Sequence, residues 1–85
     1  EIAFNLSRRH WGQGYATESV SAIIRFAFEK WNLNRIEGTC MLDNMASARV
    51  MEKVDMKFEG ILRQHSLAKN KFHDLKLYSI LRNEM

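Results

Sequence analysis

Two glycines at a predicted strand-to-helix junction, Gly12 and Gly14, constrain the fold of this chain more than any other feature. The apolar residues of Glu1–Leu6 alternate along the sequence, which predicts a strand just before the junction. Glycine lets the backbone turn tightly, and the helix that follows directs its free N–H groups and positive dipole end into the same space. Arg8 and Arg9 add positive charge upstream. This combination predicts a site for a phosphate or pyrophosphate.

The spacing of apolar residues after the junction predicts a helix and then a second strand. The predicted helix has Thr17 and Glu18 in its first turn, where an acidic group suits the dipole, and it ends at residues 32–34. Alternation over Arg35–Leu42 predicts the strand. The helical stripe predicted to be buried consists of Ala16, Val20, Ile23, Ile24, Ala27, Phe28 and Trp31.

A second helix and two further strands complete the predicted order. Asn44 is the expected N-cap of the helix, and Asp55 marks its end. Met56–Leu67 is predicted to be a strand with a bulge or bend at Gly60, and residues 68–71 form a turn into a closing strand, Phe72–Leu81. The helix positions expected to be buried are Ala48, Val50, Met51 and Val54. In the closing strand, Leu75, Leu77, Ser79 and Leu81 alternate with polar and aromatic residues.

This order of elements predicts an α/β (α+β) fold with a mixed sheet of about four strands and two helices. A strand–helix–strand unit favours a parallel pair with a right-handed crossover, so the first two strands are expected side by side, and the last two form an antiparallel hairpin. Eighty-five residues without proline or a linker-like stretch indicate one domain, residues 1–85.

Composition limits the classes of partner. The net charge of +3 is spread along the chain, which suits an anionic small ligand and argues against a nucleic-acid-binding domain. Cys40 is the only cysteine, so an internal disulfide is excluded, and the histidines lack metal-ligand spacing. No apolar run approaches membrane-spanning length, and we expect a cytoplasmic protein with no metal.

Two common phosphate-binding motifs do not fit the junction. The dinucleotide fingerprint G-x-G-x-x-G fails at its third position, Thr17, and the G-K-[ST] of a Walker loop is absent. The stretch Arg9-x-x-Gly12-x-Gly14 instead resembles the [QR]-x-x-G-x-[GA] signature of the GNAT superfamily of acyl-CoA-dependent N-acetyltransferases. Residues 12–18, Gly-Gln-Gly-Tyr-Ala-Thr-Glu, are similar to the version in the branch that acetylates the N-termini of ribosomal proteins.

Other parts of the chain carry the same resemblance. Residues 44–53, Asn-Met-Ala-Ser-Ala-Arg-Val-Met-Glu-Lys, resemble that branch's motif N-x-x-S-x-[RK]-V-x-E-K, and residues 58–60 and 74–81 resemble its closing strands. The match covers nearly the whole chain and corresponds to the C-terminal half of such a domain. The N-terminal strands and helices that usually build the acceptor pocket would then be absent.

The resemblance implies a splayed sheet with acetyl-CoA in the gap between the first two strands, and an amine that attacks the thioester directly. Pantetheine is expected to pair with the first strand, and the pyrophosphate to rest on the glycine loop. An amine acceptor is the implied second substrate. The implied acetyl-CoA contacts are Phe4, Leu6, Arg9, Gly12, Gln13, Gly14, Tyr15, Ala16, Asn44 and Ser47.

The resemblance also gives two candidate catalytic residues. Many members have a tyrosine acid on the second helix, but the matching position here is Met51, and Ser47 is the substitute candidate in this branch. Glu1 is the only carboxylate near the usual position of a base. Asp55-Met56 stands where the family usually has Gly-Phe, so an atypical turn is expected there.

Less specific interpretations remain open for several of these residues. Asn44 is expected to be a helix cap first and a ligand contact second, and Tyr78 a core residue rather than an acid. Trp31 is expected to pack, and Cys40 to be a buried apolar residue. The four methionines at positions 41, 45, 51 and 56 are predicted to line the core or a pocket. An acyl-CoA-binding or assembly module without catalysis is the alternative function, and a homodimer through the first strand is a further expectation.

Overall fold

A computed structural model describes residues 2–5 and 13–84, with side chains from Thr17 onward. The strands are β1 (Ile2–Asn5), β2 (Arg35–Met41), β3 (Lys57–Ala68) and β4 (Lys71–Leu81). The helices are α1 (Gln13–Lys30) and α2 (Met45–Lys53), and Arg82–Glu84 form a short 3-10 turn. The order of elements agrees with the sequence prediction.

The described strands form one mixed sheet in the order β1-β2-β4-β3. β1 and β2 are parallel, in register from Ile2 opposite Ile36 to Asn5 opposite Thr39. β3 and β4 form the predicted antiparallel hairpin. β4 also pairs antiparallel with β2, so the last strand in the chain lies inside the sheet. The predicted fold class is therefore confirmed. The pairing of β2 with β4 was not predicted from the sequence.

The core lies between one face of the sheet and the two helices. Ile36 and Cys40 of β2 and Tyr78 and Ile80 of β4 are almost fully buried in one core with residues of α1 and α2. The predicted buried positions of α2 are all in this core, and those of α1 are confirmed at Val20, Ile24, Ala27 and Phe28.

Several predicted core positions are wrong because periodicity alone overestimates the width of the buried stripe. Ile23 and Trp31 are 56% and 49% exposed, and the ring against which Trp31 packs edge-to-face, Phe26, is itself exposed. Leu42 follows the end of β2 and is largely exposed, as is Met45 at the start of α2. These side chains lie outside the interface between the two helices and the sheet, so they remain exposed.

Bulges and a tight turn shape the hairpin. The register of β3 shifts between Phe58 and Gly60, and Gly60 has φ +151°, which confirms the predicted bulge. A second shift near Gln64, with φ +50°, was not predicted. Lys69 and Asn70 both have positive φ, as a type I′ turn requires.

One arginine joins the end of β4 to the end of α1. The Arg82 guanidinium donates to the carbonyl oxygens of Phe28 at 3.0 Å and Trp31 at 2.8 Å, and to that of Leu33. It also lies 5.4 Å from the centre of the Phe28 ring. Because the last carbonyls of a helix have no partner within the helix, Arg82 satisfies the Phe28 carbonyl in the last turn of α1, and it ties this turn to the carbonyls of Trp31 and Leu33 just beyond the helix.

Candidate functional site

The two helix N-termini lie at the same edge of the sheet. β1 and β2 are parallel, and each is followed by a helix, so α1 and α2 both begin at the carboxyl edge of this pair. Ligands of α/β sheets bind at this edge, where helix N–H groups are available. The first turn of α1, where the sequence predicts a phosphate site, therefore lies at this edge of the sheet.

The helix α1 begins earlier than the glycine-loop prediction expected. Gln13, Gly14, Tyr15 and Ala16 are its first four residues, so their N–H groups are the four that an α-helix leaves without an internal acceptor. Gly14 thus belongs to the first helical turn rather than to a loop. Thr17 and Glu18 lie after this turn, which contains no acidic residue. The prediction of an acid in the first turn was wrong because α1 was assumed to begin later.

Several other predicted acetyl-CoA contacts, and the candidate base, involve residues that the structure does not describe or describes only as backbone. Glu1, Leu6, Arg9 and Gly12 are outside the described residues, so their predicted roles remain predictions. Phe4 is in β1, opposite Gly38 of β2. Over Ile2–Asn5 the two strands are paired at every position, so the implied gap between them does not occur there.

The N-terminus of α2 is built by the predicted cap. The Asn44 Oδ1 atom accepts the backbone N–H of Ser47 at 3.1 Å, and both residues are buried, with 5% and 4% of their surface exposed. The prediction of Asn44 as the cap of α2 is therefore confirmed, and its role as a ligand contact stays a prediction. Ser47 is in the first turn of α2, close to the carboxyl edge of β2.

The core residues considered for acid chemistry are enclosed. Met51, at the position of the family's tyrosine, is fully buried. Tyr78 is buried too, and its hydroxyl lies 3.4 Å from the Glu52 Oε2 atom. Burial, with the nearby Glu52 carboxylate as a smaller contribution, raises the pKa of Tyr78. Burial also raises the pKa of the Cys40 thiol. These observations confirm the expectation that Tyr78 and Cys40 are core residues.

An open cleft of about 370 Å³ lies where β2 ends and β4 begins. Its lining residues are Met41, Leu42 and Asp43 on one side and Phe72, His73 and Asp74 on the other. The prediction that the methionines line the core or a pocket is confirmed for Met41, which lines the cleft, and for Met51 and Met56, which are in the core. The other lining residues were not identified from the sequence, because the two sides meet only through the β2–β4 pairing.

The opposite face of the sheet carries an ion-pair network. The Arg35 guanidinium makes a two-pronged contact with Glu59 at 2.6 and 3.0 Å and also contacts Glu37 at 2.9 Å. The Ser79 hydroxyl donates to Glu59 as well. Hydrogen bonds from Arg35 and Ser79 lower the pKa of Glu59 to about 2. The network joins β2, β3 and β4 and lies away from the helix N-termini, which favours a structural role.

The described residues give limits on metals and membranes. Within residues 2–5 and 13–84, no three His, Cys, Asp or Glu side chains are grouped to hold a metal ion. In the same part of the chain, neither helix is long and apolar enough to cross a membrane.

Comparison with known proteins identifies the class of domain. Residues 1–57 match the acetyltransferase (GNAT) domain family, and the chain therefore belongs to the GNAT family. It is 37% identical over 84 residues to the uncharacterized N-acetyltransferase p20 of Bacillus licheniformis, covering 99% of this chain and 47% of that protein. Over 79 residues it is 29% identical to the ribosomal-protein-serine acetyltransferase of Escherichia coli, covering 93% of this chain and 44% of that protein.

Solved structures agree with this assignment. A GNAT-family acetyltransferase from Bacillus anthracis superposes with a TM-score of 0.77 at 36% identity, covering 89% of this chain and 46% of that one. The acetyltransferase RimL in complex with coenzyme A has a TM-score of 0.75 at 23% identity, covering 91% of this chain and 44% of that one, and supports the fold alone. The chain spans about half the length of the curated relatives that it matches.

Proposed function

We propose that the protein containing this chain is an acyl-CoA-dependent N-acetyltransferase that transfers an acetyl group from acetyl-CoA to a primary amine. The single observation that carries the proposal is that Gln13–Ala16 form the first turn of α1 at the carboxyl edge of the parallel pair. The N–H groups of a first helical turn, which have no acceptor within the helix, and the positive dipole end suit a pyrophosphate. Family membership supports the same cosubstrate, because the neighbouring acetyltransferase MccE was solved in complex with acetyl-CoA and AMP.

The proposed reaction is a direct transfer. The neutral amine nitrogen attacks the thioester carbonyl carbon, a C–N bond forms, the C–S bond breaks, and the amine proton is lost as the thiolate leaves. A thiol similar to that of cysteine has a pKa near 8.5, so its thiolate is a fair leaving group without strong acid help. Ser47, buried in the first turn of α2, is consistent with at most modest assistance.

The demand for a base depends on the acceptor. An α-amine with a pKa of about 8 is roughly one-tenth neutral at pH 7, whereas a lysine amine near 10.4 is neutral only about once in 2,500 molecules. A protein N-terminus or another amine of lowered pKa would therefore react without a strong base, and Glu1 remains the candidate base for less acidic ammonium groups. Both protein N-termini and small amines fit the proposal.

The substitution Gly14→Asp tests the pyrophosphate site. An aspartate in the first turn interacts favourably with the helix dipole but repels a phosphate. The variant should therefore keep its free energy of unfolding while its affinity for coenzyme A falls. We expect the dissociation constant of coenzyme A, measured by calorimetry, to rise at least tenfold, because charge-assisted hydrogen bonds contribute about 1.5–3 kcal/mol each. Gly14→Asn, of matched size and without charge, should have a smaller effect.

The outcome separates the alternatives. An unchanged dissociation constant for Gly14→Asp would refute the pyrophosphate site. Coenzyme A binding without thiol release from acetyl-CoA, in the full-length protein with a panel of primary amines, would instead support a binding module.

A further inference from the structure

The β3–β4 hairpin extends beyond the rest of the sheet. The pairing of β2 with β4 ends at Met41 opposite Leu75, whereas β3 and β4 stay paired as far as Ala68 opposite Lys71. Residues 63–73, the hairpin arm, therefore have no third strand beside them in the part of the chain that the structure describes. A ribbon of two strands is only marginally stable in water by itself, so a partner that packs against the arm would stabilise it.

The hairpin arm is strongly basic. Arg63, Lys69 and Lys71 are exposed, and residues 63–73 contain no aspartate or glutamate. The whole chain has 13 basic and 10 acidic residues, so the remainder of the chain is balanced in charge and the net charge of +3 is concentrated in the arm. None of the three cations forms an ion pair with another described residue. The arm is therefore the part of the chain that most attracts an anionic partner.

The hairpin also exposes apolar side chains. Leu67 and Phe72 are directly opposite each other in the arm, so they share one face of the ribbon, and they are 64% and 62% exposed. Phe58 and Ile61, earlier in β3, are largely exposed as well. A long strand with exposed apolar side chains at the edge of a sheet is a site where another strand can pair.

The free edge belongs to β3, which is the outermost strand of the described sheet. Side chains of β4 hold this strand in shape. The Asp74 Oδ1 atom accepts the Gln64 N–H at 2.8 Å, where the register of β3 shifts, and the His73 Nε2 atom lies 3.2 Å from the Ala68 carbonyl oxygen. Because the arm is shaped before a partner binds, less free energy is lost in ordering it.

The strand edge, the charge and the apolar surface together indicate an acidic polypeptide. A polypeptide in extended conformation carries N–H and C=O groups at the spacing of a strand edge, whereas a nucleic acid or a lipid headgroup would neutralise the cations and leave the edge unpaired. A second copy of the chain would bring the cations of one arm against those of the other, and like charges on paired strands are destabilising. An acidic strand avoids both penalties.

We propose that the hairpin arm is a docking site for an extended acidic segment of a partner protein, which adds as a strand to the outer edge of β3. Its carboxylates would lie near Arg63 and Lys69, which flank residues 64–68, and its apolar side chains would pack on Leu67. This interaction does not depend on the proposed acetyl transfer.

The test uses a capped peptide of three Glu-Val repeats as the acidic probe and follows its binding to the full-length protein by two-dimensional NMR. A peptide of three Lys-Val repeats reverses the charge, and a Glu-Val peptide with every backbone N–H methylated removes the donors that a strand needs. Arg63→Gln and Lys69→Gln remove one cation of the arm each. Lys53→Gln is the matched control, because Lys53 is exposed in the last turn of α2, outside the hairpin.

We expect the Glu-Val peptide to shift the resonances of residues 63–73 and to bind about two- to fivefold more weakly to Arg63→Gln and to Lys69→Gln, as for exposed ion pairs. Lys53→Gln should leave its affinity unchanged, and the Lys-Val peptide should not bind. The methylated peptide should bind at least tenfold more weakly, because several backbone hydrogen bonds are lost.

Three results would overturn the proposal. Equal binding of the methylated peptide would exclude strand addition. Shifts confined to other residues, or equal weakening by Lys53→Gln, would exclude the arm as the site. Phosphatidylserine vesicles and a single-stranded oligothymidylate are titrated in parallel, and if either binds the arm more tightly than the Glu-Val peptide, the partner is a membrane or a nucleic acid instead.

Discussion

Replacing Arg82 should loosen the end of α1 by an amount that the contacts allow us to work out. The guanidinium donates to the carbonyls of Phe28, Trp31 and Leu33 and lies over the Phe28 ring. Hydrogen bonds to charged groups contribute about 1.5–3 kcal/mol each when shielded from water. Arg82 is partly solvated, and its carbonyl partners would rehydrate on truncation, so each bond contributes near or below the lower limit. We therefore expect Arg82→Ala to lower the free energy of unfolding by about 2–3 kcal/mol.

This loss is large for a domain of this size. It corresponds to a fall in the melting temperature of roughly 10–20 °C, since 1 kcal/mol shifts a domain of 60–100 residues by about 4–8 °C. Urea unfolding followed by circular dichroism gives the free energy, and an unchanged m-value would show that the change lies in stability. Arg82→Lys keeps the charge but replaces the planar fork with a single ammonium group, so an intermediate loss is expected.

Arg63→Ala provides the control, because Arg63 is exposed on β3, and its removal should change stability by less than about 0.5 kcal/mol. Amide hydrogen exchange should show the Arg82→Ala effect first in the last turn of α1. A loss below 0.5 kcal/mol for Arg82→Ala, or equal losses for the Arg82 and Arg63 variants, would refute the capping argument.

Three further predictions concern pH, catalysis and assembly. The pKa of Glu59 is lowered from 4.5 to about 2, so its pairing with Arg35 stabilises the fold fully above pH 4.5, and this contribution is lost as pH falls toward 2. The free energy of unfolding of Glu59→Gln should therefore fall less between pH 4.5 and pH 2 than that of the unchanged protein, and equal losses in this range would contradict the argument. Ser47→Ala should lower turnover of the full-length enzyme modestly and leave coenzyme A affinity nearly intact, and unchanged turnover at every pH would leave Ser47 as a packing residue only. The isolated chain should be a dimer or larger assembly at micromolar concentration, because β1 is at an edge of the described sheet and has neither a proline nor a lysine to prevent pairing with another strand. A stable monomer in sedimentation experiments at this concentration would contradict the prediction.

Local patterns in the sequence predicted the elements well, because the physics that produces them is local. The Asn44 cap, the Gly60 bulge and the alternation of β2 each depend on a few neighbouring residues, and each is confirmed. The N-terminus of α1 was placed too late, since Gly14 was taken as a loop residue although glycine is tolerated in a first helical turn.

Contacts between distant parts of the chain could not be predicted in the same way. Periodicity assigned Ile23 and Trp31 to the buried face of α1, and both are exposed. A periodic pattern does not show which element packs against a helix face or how much of that face it buries. The pairing of Arg35 with Glu59 and the cleft that Asp43 and Asp74 both line depend on β4 lying beside β2. No residue in the sequence marks that pairing, so the cleft was found only from the structure.

The position of β4 inside the sheet has a consequence for the order of folding. The β3–β4 hairpin closes through a two-residue turn at Lys69 and Asn70, and hairpins of this kind form within about 1–10 μs. The pairing of β2 with β4 must instead wait until the chain through α2 and β3 is in place, which makes it a slow, non-local step. We infer that the hairpin forms first and docks onto β2 as a unit. Until it docks, β2 exposes a hydrogen-bonding edge, and the chain is most prone to aggregation during this interval.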